Sequence, residues 1–335
     1  MDTNQIKKVI RILKENNTDK IHLLGGEPTF RKDFIQIMKI FDEEQIPFGF
    51  NTNGIILNNN NELLNEIKQN EMLDEIVFSI EGPNALINDN IRGKNVFNKI
   101  KGALDKVVKI KNNFNRNFKI TINTVLCKTN INYMEEMIDF AINSKVSCLN
   151  LLQLINEGNA KNENQAIRFE DELKIVELIA KKYTYGDLNG LIISPNFVMP
   201  LAKKYANEVL NLEFPDCNSG CGAGTNVAFI DNKGNLFSCD RYVDQILSKN
   251  NDYDINLLNN DFASIWDMNG YGDIYDMTYN KNAYSNIVPC NTCEFLRKAC
   301  IPCPADIDTF SDAVVKNCNN YKKLIERRIA YNENF

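Results

Sequence analysis

Between residues 21 and 154, short apolar runs alternate with amphipathic helical stretches, and nothing else in this 335-residue chain constrains its fold as strongly. The runs at 21–24, 48–52, 75–80, 118–126 and 147–154 have strand length. The stretches between them, at 31–44, 60–69, 95–111 and 131–143, read as helices, and the first places Phe34, Ile37, Met38 and Phe41 on one face. Ahead of the first strand, Ile6, Val9, Ile10 and Leu13 recur at helical spacing, with Thr3 the expected N-cap. Such alternation predicts parallel strands joined by right-handed crossovers. Five strands are legible in this way. A polar connection at 156–164 follows, then helical segments at 168–183 and about 198–211.

The first three strands end in polar, glycine-containing breaks. They are Gly25-Gly26-Glu27-Pro28, Thr52-Asn53-Gly54 and Ser79-Ile80-Glu81-Gly82. Glycine admits positive φ and proline blocks continuation, so any one of them is explained by an ordinary turn. Together they fall on the C-terminal edge of a parallel sheet, where β/α folds bind ligands.

Eight of the ten cysteines lie between residues 217 and 318, at Cys217, Cys221, Cys239, Cys290, Cys293, Cys300, Cys303 and Cys318. Thiolates are the soft ligands of iron–sulfur clusters and zinc, and eight of them suffice for two four-coordinate sites. The pairs Cys290/Cys293 and Cys300/Cys303 also have the spacing of a zinc knuckle, so spacing leaves both metals open. Cys127 and Cys148 sit in or beside strands, where free cysteine packs as a small hydrophobe. The single histidine, His22, is expected to play a hydrogen-bonded structural role.

Net charge is −6 and no basic stripe stands out, which argues against nucleic acid as a partner. The polar opening Met1-Asp2-Thr3-Asn4 is unlike a signal peptide, and no run reaches the roughly 18–20 apolar residues of a membrane span. A cytoplasmic chain with many cysteines is expected to bind metal in preference to forming disulfides.

The three strand-end motifs, in their order, resemble those of radical SAM enzymes. By that resemblance Gly25, Gly26, Glu27 and Pro28 would hold the amino group of S-adenosylmethionine (SAM). Thr52, Asn53, Ser79 and Glu81 would line the same site, and Arg92 would approach the SAM carboxylate. Asn123-Thr124-Val125 and the turn at Glu157-Gly158 fit the family's fifth and sixth strands. The C-terminal part resembles a SPASM domain: Cys221, twelve residues, Gly234, four residues, Cys239, then Cys290-x2-Cys293-x6-Cys300-x2-Cys303, then Cys318. The family's usual inner spacing is x2, x5, x3, so this chain departs by one residue in each of the last two gaps. The implied grouping gives one auxiliary [4Fe–4S] cluster to Cys217, Cys221, Cys239 and Cys303, and a second to Cys290, Cys293, Cys300 and Cys318.

The resemblance implies an N-terminally incomplete radical SAM core over 1–165, a helical connection over 166–213 and a SPASM domain with little regular structure over 214–335. The core would be a partial (β/α)6 TIM-like α/β barrel lacking its first strand. Family members carry Cys-x3-Cys-x2-Cys upstream of the first helix, whereas the first cysteine here is Cys127. A third cluster is therefore expected only if a preceding segment supplies it, as a miscalled start codon would explain. The segment Asp216–Tyr242 is similar to anaerobic sulfatase-maturating enzymes and clostridial Cys-rich peptide maturases, and Asp240, directly after Cys239, inherits the role of proton acceptor at the substrate. The implied activity is oxidative modification of a peptide or protein, including ribosomal peptide products of anaerobes. A 5′-deoxyadenosyl radical would abstract hydrogen, and flavodoxin or ferredoxin would be the reductant. Two other expectations stand beside it: a degenerate, non-catalytic homologue carrying two clusters, and a zinc-binding structural protein.

Overall fold

The computed structural model describes residues 1–154, 165–186, 188–196, 201–215, 222–243, 254–266, 284–296, 298, 300 and 312–332. Two compact units emerge, one comprising 19–198 and 210–215 and the other 1–18, 199–209 and 216–335.

The first unit is built on one six-stranded parallel sheet in sequential order. Its strands are β1 (Ile21–Leu23), β2 (Phe48–Thr52), β3 (Leu73–Ser79), β4 (Lys119–Leu126), β5 (Cys148–Gln153) and β6 (Ile192–Asn196). The helices α2 (Phe34–Glu44), α3 (Asn61–Gln69), α4 (Ala85–Arg92), α5 (Phe97–Asn113), α6 (Met134–Asn143) and α7 (Phe169–Tyr185) connect them. This is the α/β partial barrel of the expected class. Sequential order with helical crossovers follows from right-handed βαβ units added on one side.

The two faces of the sheet differ sharply. Phe48, Phe50, Ile76, Phe78, Ile120, Ile122, Leu149 and Leu151 alternate onto the helix-covered face and are fully buried. Phe41 of α2 stacks on Phe48 with ring centroids 4.3 Å apart, and Phe34 meets Phe50 edge-on at 5.2 Å. Burying aromatic surface of this kind contributes roughly 2–3 kcal/mol per side chain. The opposite face carries His22, Asn51, Glu75, Ser79, Thr121, Asn123, Asn150 and Ser194, as the strand register dictates.

Four local features differ from the sequence reading. A sixth strand, β6, was not legible: it is short, sits at the sheet edge and contains Pro195, which only an edge position tolerates. Helix α4 is an extra element, started by Asn84, whose side chain accepts the Ile87 N–H at 3.2 Å. The helix expected at 198–211 is a short helix, α8 (Leu201–Tyr205), continued as a π-turn to Leu210.

The fourth difference concerns α1 (Thr3–Glu15), in the second unit, which is capped by Asp2 and not by Thr3. Asp2 Oδ1 accepts the Gln5 N–H at 2.9 Å and Gln5 Oε1 accepts the Asp2 N–H at 2.9 Å, a reciprocal capping box. That unit also holds the small antiparallel hairpin Phe229–Ile230/Leu236–Phe237, a short helix Phe262–Trp266 and the long C-terminal helix Asp312–Asn332. Tyr321 of that last helix lies against Tyr205, with ring centroids 6.1 Å apart. No described helix is long and apolar enough to cross a membrane.

Candidate functional site

The C-terminal ends of β1 and β2 meet through one carboxylate. Gly25 has φ of +132°, a conformation that side-chain-bearing residues avoid, and it turns the chain so that Glu27 points back to the sheet. Glu27 Oε1 accepts from Thr29 Oγ1 at 2.5 Å and from Thr52 Oγ1 at 2.8 Å, while Glu27 Oε2 accepts the Asn53 N–H at 2.6 Å. Thr52, 1% exposed, also accepts the Gly54 N–H at 2.9 Å, so its hydroxyl is satisfied in both roles. A Cβ built on Gly25 or Gly26 would meet nothing within 4 Å, which leaves this loop's backbone open on its outer side. Pro28 follows at the start of a 3₁₀ turn in which Pro28 and Thr29 are buried.

A second carboxylate organises the ends of β3 and β4. Glu81, 4% exposed, accepts Arg92 Nη2 at 2.7 Å and the Val125 N–H at 2.6 Å. Its own N–H donates to Asn88 Oδ1 at 2.9 Å, and its carbonyl accepts Asn130 Nδ2 at 3.0 Å. Burial pushes the Glu81 carboxyl above its ordinary range, although the Arg92 guanidinium beside it pulls the other way. Arg92 Nε is buried and has no hydrogen-bond partner. Glu27, Thr52 and Asn53 thus form one connected group, and Glu81 and Arg92 form another.

Ser79 belongs to a polar row that crosses four strands. Register places Ser79 beside Asn123, Asn123 beside Asn150 and Asn150 beside Ser194. Asn150 Nδ2 donates to Asn123 Oδ1 at 2.8 Å. One step earlier along the strands, Cys148 donates to Asn150 Oδ1 at 3.3 Å, and burial pushes its thiol up to about 11, so it stays protonated. His22 Nε2 lies 2.8 Å from Asn51 Oδ1 on the same face, and burial pulls the imidazole below its ordinary value, leaving it neutral at pH 7. Thr121 Oγ1 at 2.6 Å and Lys20 Nζ at 3.0 Å both donate to Glu75. Burial opposes the Glu75 charge, but these donors outweigh it and hold the carboxyl below its usual range. The sequence reading missed Asn51, Asn150 and Ser194, whose signal was the alternation of polar with buried apolar positions along each strand.

The cysteine-rich unit is described in part. Cys217, Cys221 and Cys303 lie outside the described residues, as does the turn Glu157-Gly158. Cys239 follows the hairpin, and its thiol donates to Oδ1 of exposed Asp240 at 3.2 Å. Cys290, Cys300 and Cys318 are 8%, 7% and 6% exposed, and none of the described cysteines is in a disulfide. Burial pushes the Cys290 thiol up to about 11, with Cys318 and Cys293 adding to the effect. The Cys300 thiol rises to about 12 by burial and by Cys318, Cys290 and Cys293. Cys318, Cys290 and Cys293 all raise the cost of ionising Cys300, and Cys318 and Cys293 that of Cys290, which links the four thiols electrostatically. A bound cation would reverse that cost, which is the chemistry a four-thiolate metal site requires. Among the described residues, no three such side chains already stand in a ready-made metal-binding arrangement.

Residues 1–141 match the Radical SAM superfamily. A probable GTP 3′,8-cyclase of Sulfurisphaera tokodaii is 28% identical over 62% of this chain and 65% of its own length. The mycofactocin maturase MftC of Mycolicibacterium smegmatis is 25% identical over 71% of this chain and 56% of its own length. The chain thus spans less than two thirds of either relative. Among solved structures, anSMEcpe with bound AdoMet matches all of this chain and 90% of that one at a TM-score of 0.68 and 16% identity. Streptococcus suis SuiB matches 82% of this chain and 61% of that one at 0.65 and 17%. That superfamily implies SAM and an iron–sulfur cluster. Residues 1–141 are thus similar in sequence to the Radical SAM superfamily, and the chain shares the α/β partial-barrel fold of SuiB and anSMEcpe.

Proposed function

We propose that the chain is a radical SAM/SPASM peptide or protein maturase. The grouped thiols of Cys290, Cys293, Cys300 and Cys318, following a radical SAM domain, carry this reading. They supply a complete four-cysteine set for one auxiliary [4Fe–4S] cluster, and Cys217, Cys221, Cys239 and Cys303 would supply the other. SuiB has been solved bound to its precursor peptide SuiA, which supports a peptide substrate.

Glu27, held by Thr29, Thr52 and Asn53, fixes the Gly25-Gly26 loop whose open backbone would receive the SAM amino group. Ser79 would line the same site. Arg92, fixed by Glu81, keeps a buried donor for an anionic group such as the SAM carboxylate. SAM held there and given one electron would part into methionine and a radical able to take a hydrogen atom from the substrate. The polar row Ser79–Asn123–Asn150–Ser194 offers neutral hydrogen-bonding groups suited to peptide amides. Asp240 would take a proton from the oxidising substrate, which requires it within hydrogen-bond reach. Residues 1–126 contain no cysteine, so they offer no thiolate ligand for a SAM-reducing cluster. Electrons would come from a flavodoxin or ferredoxin.

A second reading is a non-catalytic homologue that carries two clusters for electron transfer or partner binding. Anaerobic reconstitution separates these readings from a zinc protein. Two four-iron clusters give about eight iron atoms per chain and a brown protein. Two zinc atoms and no iron would overturn both cluster readings. Peptide-dependent release of 5′-deoxyadenosine from a form extended by its in-frame upstream codons supports the maturase, and its absence at full iron loading supports the carrier.

A further inference from the structure

Strand β6 (Ile192–Asn196) ends the sheet among the described residues, and β5 pairs with one of its sides. The Ile192 N–H donates to the Ser147 carbonyl at 3.1 Å. Strand alternation then turns the backbone groups of Ile192, Ser194 and Asn196 toward β5 and those of Leu191, Ile193 and Pro195 outward. An outward row of this kind is a template on which another strand adds. Here each N–H position in the row is closed. The Leu191 N–H donates to the Leu188 carbonyl at 2.9 Å, and Pro195 has no N–H. Ile193 keeps both groups, and one side chain takes both. The Tyr183 hydroxyl accepts the Ile193 N–H at 3.1 Å and donates to the Ile193 carbonyl at 3.1 Å. Tyr183 lies in the last turn of α7, whose end is fixed by the next residue: Thr184 Oγ1 accepts the Glu213 N–H at 2.9 Å and donates to the Ala180 carbonyl at 2.8 Å.

We propose that Tyr183 closes the β6 edge against strand pairing with a second copy of this chain. Its hydroxyl makes, for Ile193, the two bonds that a neighbouring strand would make. Ile193 carries the one outward N–H of the row that is neither missing nor bonded within a turn, so one hydroxyl is enough. The edge is worth closing because Ile192, on the other face of the strand, is 60% exposed. An opened edge would set a large apolar side chain beside free backbone groups, the combination that favours edge-to-edge association. This role is independent of any cofactor or substrate, since it involves only α7 and β6.

The test combines hydrogen exchange with self-association, both on the full chain. Tyr183→Phe keeps the ring and loses the hydroxyl. Mass spectrometry of the peptide containing β6 is expected to show the Ile193 amide exchanging roughly three- to tenfold faster, the effect of losing one hydrogen bond, while peptides from β2 and β3 exchange as before. Tyr183→Ala also uncovers the edge. In sedimentation velocity it is expected to shift toward a larger species, relative to wild type, as protein concentration rises. If circular dichroism shows that Tyr183→Ala does not fold, Tyr183→Leu keeps the apolar bulk without the hydroxyl and takes its place. Adding Ile192→Lys sets a charge on the same strand, which opposes edge pairing, and is expected to restore the wild-type distribution. Unchanged exchange at Ile193 in Tyr183→Phe would overturn the bond's role. A wild-type sedimentation profile without the hydroxyl, or self-association that Ile192→Lys leaves untouched, would overturn the closure of the edge.

Discussion

The Asn53 backbone N–H donates to Glu27 Oε2 at 2.6 Å, and with the Thr52 hydroxyl bond it ties the loop after the first strand to the end of the second. The other oxygen of Glu27 takes Thr52 and Thr29, so the carboxylate is fully engaged within the protein. Its role is thus to shape the Gly25-Gly26 backbone. Glu27→Ala leaves the nearly buried Thr52 hydroxyl without its acceptor. Charge-assisted bonds contribute roughly 1.5–3 kcal/mol each, and the variant is expected to lose about 2–4 kcal/mol. Urea unfolding followed by circular dichroism measures it as a lower midpoint with an unchanged slope.

The Glu81–Arg92 pair gives a pH-dependent expectation. Arg92→Met leaves a buried carboxylate with one backbone donor, and breaking a buried pair from one side costs about 3–5 kcal/mol. Glu81 already has a raised folded-state value, so the sign follows from linkage. Its contribution is fully present below the ordinary carboxyl value of 4.5 and is lost as pH rises through the folded value. Removing Arg92 raises that folded value further. The destabilisation should therefore be larger at neutral pH than in mild acid, and Glu81→Gln in the Arg92→Met background should remove the difference. Melting temperatures of the three proteins across this range check it. An Arg92→Met penalty that is the same at every pH would show that Glu81 does not carry the charge.

Gly49 shows why the polar face is packed as it is. A Cβ there would stand 2.7 Å from His22 Nδ1 and 3.0 Å from the Glu75 carbonyl oxygen. Gly49→Ala is expected to destabilise by about 1–3 kcal/mol through overpacking. Combining it with His22→Ala should recover part of the loss, because the ring leaves and the carbonyl remains. A double-mutant cycle in unfolding free energy measures the coupling, and simple additivity would mean the two residues do not press on each other.

What was legible in the chain is the part written by local rules. The three strand ends announced themselves through glycine, proline and asparagine, whose backbone preferences act within a few residues. Asp2 and Gln5 also formed a readable capping-box pattern, which the choice of Thr3 overlooked. The polar row was harder, because Ser79, Asn123, Asn150 and Ser194 become neighbours only through strand register. Each looks unremarkable in its own strand. The β6 strand escaped for a similar reason: five residues with a proline carry little intrinsic signal, and pairing with β5 is what makes them a strand.

Cys300 and Cys127 make a matched pair for testing the thiol group. Both are buried, at 7% and 6% exposure, but only Cys300 lies within the electrostatic group formed with Cys290, Cys293 and Cys318. Cys300→Ala should lower the iron bound after reconstitution by up to half, since one of two four-thiolate sites loses a ligand. Cys127→Ala should leave iron unchanged and cost at most the small packing loss of a buried sulfur. Asp240→Asn should likewise leave iron intact, because the exposed carboxylate adjoins Cys239 without being a thiolate ligand, while turnover of a form that cleaves SAM should fall sharply. Iron analysis and the visible absorption of the clusters read the first two outcomes, and product mass reads the third. Equal iron in the Cys300→Ala and wild-type proteins would remove Cys300 from the ligand set, and unchanged turnover in Asp240→Asn would remove Asp240 from proton transfer.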